Sequence, residues 1–330
     1  MKKIIALLIA AVLVLTLAGC AKKTDTAETA ATEAPKTEKA KFVNMVTGGT
    51  AGTYYALGAD LCNMLTKTVG SIDVSPSVGN GSASNIREIS AGNADLAFSQ
   101  ADVAIYAWKG IETFANEQTQ SFGVIGVLYP EVVQAAYCDE TGIETVKDFA
   151  GRSISIGAAG SGVYQSVVDV LTVSDMKLED ITPNYLSFAE SADAIKNNQI
   201  DAAFITAGIP NSAIQDLASV RDIELLNLDD AAVEKLCAEK PYTPYTIAAG
   251  TYQGQSRDAK TVAINSVLLA SREMSEDDVY AITKAIYENT SELTHASAAF
   301  IKIETALDGI DTEMLHPGAL KYYQEKGLIK

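Results

Sequence analysis

The stretch Gly48-Gly49-Thr50-Ala51-Gly52-Thr53-Tyr54-Tyr55 decides the fold that we predict for this chain of 330 residues. An apolar run at 42–46, rich in strand-forming residues, precedes it. After it, four apolar residues recur with the spacing of one helix face, namely Leu57, Leu61, Met64 and Leu65. The order strand, glycine-rich turn, helix aims free backbone N–H groups and the positive end of a helix dipole at one point. Such a turn is either an anion site or a tight connection without a ligand.

The first 20 residues have the pattern of a bacterial lipoprotein signal peptide. Lys2 and Lys3 are followed by an apolar run that is too short to span a membrane. The run ends in Leu17-Ala18-Gly19-Cys20, which resembles a lipobox, where the cysteine is lipidated. We therefore expect extracytoplasmic localisation, in the periplasm or on the outer face, with anchoring to the membrane surface through Cys20. The alternative is a chance cysteine behind an ordinary signal peptide. Residues 21–40 lack large apolar side chains, which predicts a disordered tether.

Composition limits the classes of partner. The chain has 25 basic and 42 acidic side chains, a net charge of −17. This balance argues against nucleic acid, whose binding needs a basic surface. It does not exclude a small anionic ligand, because helix N-termini act locally and salt screens the overall field. The roughly 290 residues after the tether exceed one typical core and indicate two lobes.

An internal repeat supports the two lobes. The segment 93–101 is echoed by 199–207, so that Asp95 and Asp201 hold equivalent positions, and the turn at 48–54 is echoed by 157–164. We interpret this as two α/β lobes of similar plan; chance similarity between α/β units is the alternative. The predicted limits are 41–138 for the first part of lobe 1, 139–246 for lobe 2, and 247–330 for the return to lobe 1. Two crossing segments, near 138–142 and 246–252, would join the lobes.

Candidate ligand-binding residues lie in loops that follow strands, because open α/β sheets bind ligands beyond the carboxyl ends of their strands. In the first lobe they are Gly49, Thr50, Thr53, Tyr54, Ser82, Asn85, Ser99 and Gln100. In the second lobe they are Gly160, Ser161, Ser187, Phe188 and Ala207. We predict that the two sets form opposite walls of a cleft. For Tyr54 the alternative is packing within its own lobe.

The chemistry of the chain favours a binding protein over an enzyme. It has only two histidines, His295 and His316, and neither a nucleophile elbow nor a spaced metal cluster is present. We therefore predict no cofactor and no metal. The arginines lie outside the glycine-rich turns, so we assign carboxylate binding to backbone N–H groups. Arg87 is the one arginine for which both a role in ligand binding and a surface role are considered. Beyond Cys20, the odd number of cysteines leaves the pairing of Cys62, Cys138 and Cys237 undecided.

Nine sequence blocks over roughly 42–328 carry a family resemblance. They are Gly48-Gly49-Thr50 with Tyr54-Tyr55, Ser99-Gln100-Ala101-Asp102, Leu128-Tyr129-Pro130-Glu131, 157–162, 186–190, Ala207-Gly208-Ile209-Pro210, Ala249-Gly250-Thr251-Tyr252, 279–284 and 316–323. In this order they resemble the TAXI family, the solute-binding receptors of tripartite TRAP-type transporters. The chain departs from the family pattern at Ala51 and Ala158-Ala159, and its cysteines are not a family feature.

The resemblance implies a two-lobed periplasmic-binding-protein fold of the type II arrangement, with the ligand cleft between lobes. It also implies a receptor that closes on a small carboxylate, glutamate-like or a dicarboxylate, and docks onto a membrane permease. Two other functions stay open. A ligand-sensing receptor domain would carry a spanning helix and a signalling domain. A lipid-anchored extracytoplasmic enzyme acting on a small anionic metabolite would convert its ligand.

Overall fold

The computed structural model of the protein describes residues 40–330. The predicted signal peptide with Cys20 lies outside the described residues, as does all but the last residue of the predicted tether. Within the described part, none of the helices combines the length and the apolar character needed to cross a membrane.

Strands and helices alternate through the first part of the chain. In order they are β1 Lys41–Val46, α1 Thr53–Val69, β2 Ile72–Ser77, α2 Ser82–Ser90, β3 Leu96–Gln100, α3 Ala101–Lys109 and β4 Phe122–Cys138. The middle part holds β5 Ser153–Ser155, α4 Val163–Val173, β6 Thr182–Asn184, α5 Phe188–Lys196, β7 Ala202–Ala207, α6 Ser212–Ala218, β8 Ile223–Leu225, α7 Asp230–Glu239 and β9 Thr243–Ile247. The last part holds β10 Ala259–Ser271, α8 Glu276–Glu288 and α9 Pro317–Glu325.

Helix α1 forms as its apolar spacing predicts. Leu57, Leu61 and Leu65 are fully buried on one face, and each contributes on the order of 1.5–3 kcal/mol through burial. Gly70 ends the helix with φ 71°, a left-handed conformation that costs glycine little. At its other end α1 begins at Thr53, directly after the N-cap Gly52 of the glycine-rich turn.

The strands within residues 40–330 form one mixed sheet in the order β2-β1-β3-β10-β4-β7-β5-β6. Strands β1, β2 and β3 are parallel, and so are β5, β6 and β7. Two long antiparallel strands, β4 and β10, run between these parallel triplets. Strand β8 pairs with β4, and β9 pairs with β10. The two halves of the sheet therefore mirror each other in plan.

The predicted internal repeat is confirmed by this symmetry. Each half reads strand, helix, strand, helix, strand, from β1 to β3 and from β5 to β7. The two equivalent aspartates also make the same kind of hydrogen bond. The carboxylate of Asp95 accepts the N–H of Asn44 at 2.8 Å, and that of Asp201 accepts the N–H of Ser153 at 2.8 Å. In each half, an aspartate before the third strand fastens the first strand.

Hydrophobic packing divides the sheet into two lobes. One buried cluster consists of residues from 43–129 and 267–323, and we call these two parts of the chain lobe 1. Two further clusters draw on 132–264 and form lobe 2. Both β4 and β10 pass from one set to the other within the strand itself. We therefore propose lobe limits near 130 and 265 in place of the predicted 138 and 246.

Two elements differ from what the residue order alone predicts. The apolar runs at 124–130 and 132–138 predict two strands, whereas the structure forms a single strand, β4. Pro130 is tolerated there because it pairs with Asn265 of β10, whereas the pairing with β7 on the other side begins only at Val132. The apolar spacing at 295–307 predicts a helix, but the structure forms a set of 3-10 turns there, Ala296–Phe300 and Ile303–Thr305. Apolar periodicity does not separate these short turns from an α-helix.

Candidate functional site

A cavity of about 350 Å³ lies between the two lobes. Its volume suits a small solute more than a large cofactor. Lobe 1 contributes the turn 48–54, the turn 78–82 and Gln100, and β4 contributes Glu131 where it crosses. Lobe 2 contributes Ala158, the segment 161–163, the segment 187–190, Thr206 and Ala207. Both lobes thus supply a wall, as the cleft prediction requires.

Most of the residues predicted to bind a ligand line this cavity. They are Gly49, Thr50, Thr53, Tyr54, Ser82, Gln100, Ser161, Ser187, Phe188 and Ala207. The other three, Asn85, Ser99 and Gly160, are not among the lining residues.

Each of these three residues makes hydrogen bonds within the protein. The amide of Asn85 donates to the carbonyl oxygens of Thr47 at 2.6 Å and Phe98 at 2.9 Å. The hydroxyl of Ser99 donates to the Gln100 carbonyl oxygen at 2.9 Å. The carbonyl oxygen of Gly160 accepts the N–H of Ser84 at 2.9 Å. Asn85 and Ser99 thus hold loops and strand ends of lobe 1 in place, and Gly160 joins lobe 2 to α2 of lobe 1.

Asn85→Ala should destabilise the protein with little effect on ligand affinity. The change leaves two buried carbonyl groups without their donor, which costs about 1–3 kcal/mol. Chemical denaturation measures this loss, and calorimetric titration measures the affinity. A fall in affinity much larger than the fall in stability would instead place Asn85 in contact with the ligand.

Hydrogen bonds join the lobes around the cavity. The N–H of Gly208 donates to Thr53 Oγ1 at 3.1 Å, and Asn211 Nδ2 donates to the Ala51 carbonyl oxygen at 3.1 Å. Gln100 Nε2 donates to Ser166 Oγ at 3.3 Å. Further from the cavity, Lys240 Nζ of lobe 2 lies 3.0 Å from Glu112 Oε1 of lobe 1. The structure is therefore a closed arrangement of the two lobes.

Four helices without a capping side chain begin at this cavity. Helices α1, α2 and α4 have glycine at the N-cap, Gly52, Gly81 and Gly162, and α3 has Gln100; none of the four N-cap side chains accepts a hydrogen bond from its helix. All four N-cap residues line the cavity. The remaining described α-helices are each capped by a side chain at the N-cap: Ser187, Asn211, Asp229, Ser275 and His316. Two of the first-turn N–H groups have partners: that of Ser84 in α2 bonds the Gly160 carbonyl oxygen, and that of Val103 in α3 bonds Asp102 Oδ1. The positive dipole ends of the four helices, with the first-turn N–H groups that remain, converge on the cavity, which favours an anionic ligand.

Glu131 is the buried acid of the cavity. Its side chain is 3% exposed, and Tyr54 Oη donates to its Oε2 at 2.7 Å while Tyr129 Oη donates to its Oε1 at 3.2 Å. Burial raises the pKa of Glu131 to about 8, against the lowering effect of the two tyrosine hydroxyls; nearby Asp102 raises it further. Burial also raises the pKa of Asp102, to about 7. Neutral Glu131 is therefore the main form near neutral pH.

The second acid of the cavity, Glu190, behaves in the opposite way. It closes a capping box at the start of α5, where Ser187 Oγ and the Ser187 N–H both donate to its carboxylate. These hydrogen bonds, with the Ser187 hydroxyl as the larger cause, lower the pKa of Glu190. The carboxylate of Glu190 thus receives its hydrogen bonds from the first turn of its own helix. The described lining includes no lysine and no arginine.

Sequence reasoning missed Glu131, Gly81 and Gly162 as cavity residues. Glu131 belongs to the block 128–131, to which the residue order alone assigns no ligand. The signal was present, because Glu131 is the only charged residue in the whole of β4. A lone acid in an otherwise apolar and neutral strand is costly to bury without a purpose. The glycines were visible as turn residues, but the absence of side-chain caps appears only in the structure.

The other residues singled out in the sequence lie away from the cavity. His316 accepts the Gly318 N–H at the start of α9, and His295 accepts the Ser297 N–H, so both histidines have structural roles. Arg87 pairs with Glu117 at 2.8 Å on the surface. Cys62, Cys138 and Cys237 are free thiols. Among the described residues, no cluster of His, Cys, Asp and Glu has the arrangement of a metal site.

Comparisons with known proteins agree with the fold. A model of the NMT1-like family matches residues 45–327. Among solved structures, a protein from Bordetella bronchiseptica RB50 is 16% identical with a TM-score of 0.52, covering 86% of this chain and 82% of its own. A candidate L-cystine ABC transporter protein from Listeria monocytogenes is 12% identical with a TM-score of 0.50, covering 81% and 98%.

A third solved structure is the alkanesulfonate-binding protein SsuA from Xanthomonas axonopodis pv. citri bound to MOPS. It is 14% identical with a TM-score of 0.45, covering 86% of this chain and 83% of its own. At such identities the likeness concerns the fold alone. The predicted fold class, a two-lobed α/β fold with a cleft between the lobes, is confirmed by the sheet and its two sets of buried clusters, and the first two likenesses agree with it.

Proposed function

The chain belongs to the NMT1-like family, and from that membership and the closed cavity we propose that it is a solute receptor. In this proposal the protein works outside the cytoplasm, anchored through lipidated Cys20. It captures a small carboxylate, glutamate-like or a dicarboxylate, and delivers it to the membrane permease of a TRAP-type transporter. It returns the solute unchanged and is not an enzyme.

The observation that carries the carboxylate proposal is the set of four uncapped helices. Gly52, Gly81, Gln100 and Gly162 all line the cavity without capping their helices, whereas the other described α-helices are capped. A carboxylate oxygen accepts two or more such N–H groups, and the dipole ends favour its charge. The N–H groups take the role that an arginine has in many carboxylate sites.

The permease and the lipid anchor rest on the sequence resemblance to TAXI receptors. The hinge-like course of β4 and β10 supports the same proposal, because a receptor has to open and close around its solute. Both strands pass between the lobes as continuous backbone, and their pairing spans the crossing. A receptor built in this way bends without unfolding.

Ligand-induced stabilisation tests the ligand class. A ligand that binds only the folded protein stabilises it by about 2.7 kcal/mol at a hundredfold excess over Kd. We expect small carboxylates to raise the Tm of the receptor, with one ligand bound per monomer by calorimetry. Shifts with sugars or metal ions alone would reject the carboxylate class. Chemical conversion of the ligand would reject a receptor.

A further inference from the structure

Glu131 lies at the place where the two lobes meet. It belongs to β4 between the last lobe 1 core residue, Tyr129, and the first lobe 2 core residue, Val132. It lines the cavity, and its side chain is buried. A ligand that fills about 350 Å³ therefore shares a small space with this carboxyl group.

Within residues 40–330, Glu131 has no cation beside it. Tyr54 faces it from α1, Tyr129 lies on its own strand, and Asp102 adds negative charge from α3. Its partner on β10 is Ile264, and β7 pairs only from the next residue along β4. The lining formed by the described residues adds Glu190 and no lysine or arginine. An anionic ligand beside ionised Glu131 would thus place like charges together in a desolvated site.

We propose that Glu131 takes part in ligand binding as a neutral acid that donates its O–H to a carboxylate of the ligand. This inference rests on the proposed receptor function and specifies its ligand class further: small carboxylates that bring no positive charge to Glu131. Oε2 keeps the shorter hydrogen bond from Tyr54, and Oε1, with its longer contact to Tyr129, carries the proton. Above the pKa of the free receptor, one proton from solvent binds to Glu131 for each ligand captured.

The two protonation states of Glu131 predict opposite pH profiles. If neutral Glu131 binds the ligand, affinity is constant only below the pKa of Asp102, about 7, and falls about tenfold per pH unit above the pKa of Glu131, about 8. If ionised Glu131 instead receives an ammonium group, affinity falls as the pH drops below about 8. The pKa of about 8 places this change in an accessible range.

Calorimetric titration between about pH 6 and pH 9.5 tests the proposal. The probes are succinate, 2-oxoglutarate and L-glutamate, and the profile is measured with the tightest binder. We expect constant Kd at the acid end, the tenfold loss per unit at the alkaline end, and proton uptake seen as a dependence of the binding enthalpy on the buffer. A flat profile, or a loss toward low pH, would overturn the neutral-acid role while the receptor function stands. Absence of binding by every carboxylate near pH 6 would instead reject the proposed function.

Three variants separate the role of the proton from a structural role. Glu131→Gln keeps a donor of similar shape, so binding should weaken less than about tenfold near pH 7 and lose its pH dependence. Glu131→Leu removes the donor and should weaken binding at least about fiftyfold. Asp102→Asn is the control: it should keep the slope but move its midpoint to lower pH, because the Asp102 charge raises the pKa of Glu131. A Glu131→Gln variant that loses L-glutamate far more than 2-oxoglutarate would show that Glu131 receives an ammonium group.

Discussion

Gly162→Ala should weaken ligand binding by about ten- to a hundredfold and leave the Tm of the ligand-free protein almost unchanged. Gly162 has φ −72° and ψ −19°, a conformation that alanine adopts without strain. In the closed structure, however, a Cβ at this position would overlap Oε1 of Gln100 in the other lobe and lie 2.7 Å from Ser82 Oγ. Overpacking of this kind costs about 1–3 kcal/mol, and here the cost falls on the closed state alone.

Gln100 has little freedom to move away from the added methyl group. It is buried and bonds Ser166 across the lobes. Calorimetry measures the affinity, and small-angle scattering measures whether ligand still makes the protein more compact. In a Gln100→Ala background, which removes the overlapping atoms, Gly162→Ala should cost less than in the wild type. Binding at wild-type strength and normal compaction in Gly162→Ala would show that the closed state seen here is not the binding state.

Glu131→Gln should stabilise the ligand-free protein near pH 8 by on the order of 2 to 4 kcal/mol and have little effect near pH 4. The folded protein raises the pKa of Glu131 from 4.5 to about 8. Between these values the unfolded chain releases a proton that the folded chain retains, so stability is present below pH 4.5 and is lost progressively as the pH rises to about 8. Glutamine does not titrate and avoids this loss.

Urea unfolding of both proteins at the two pH values measures the difference. Glu190→Gln provides a control of opposite sign. The pKa of Glu190 is lowered by its capping hydrogen bonds, so its contribution is present above the pKa of the unfolded chain and is lost as the pH falls. That variant should be destabilised at neutral pH. If Glu131→Gln were no more stable than the wild type near pH 8, Glu131 would have an ordinary pKa and ready access to water.

Local patterns were sufficient for much of the fold. The spacing of Leu57, Leu61 and Leu65 predicted the buried face of α1, and the repeat around Asp95 and Asp201 predicted two lobes of one plan. The course of β4 was not predictable in the same way. Pro130 has no N–H to donate, so it breaks a strand only where a neighbouring strand would accept that hydrogen bond. The pairing of β4 with β7 begins only at Val132, beyond Pro130.

The candidate site was predictable as far as it consists of loops. Thr53, Ser82 and Ser187 follow strands or open helices, and the rule that ligands bind at strand ends brought them together. Glu131 lies in the middle of a strand, and its exposure to the cavity results from the crossing between lobes. Whether Asn85 faces a ligand or bonds Thr47 and Phe98 is decided by side-chain direction, which residue order does not specify.

The uncapped helices have a consequence for anyone who would engineer this protein. Consensus redesign for thermostability commonly introduces Ser, Asn or Asp at N-caps, which gains a few tenths of a kcal/mol over glycine for each helix. At Gly52 and Gly162 such a side chain would occupy the N–H groups that face the cavity, and an aspartate would act as a permanently attached competitor of the solute. A variant with such caps should therefore have a higher Tm and a lower affinity for the solute. The conflict between stability and binding arises at these two glycines.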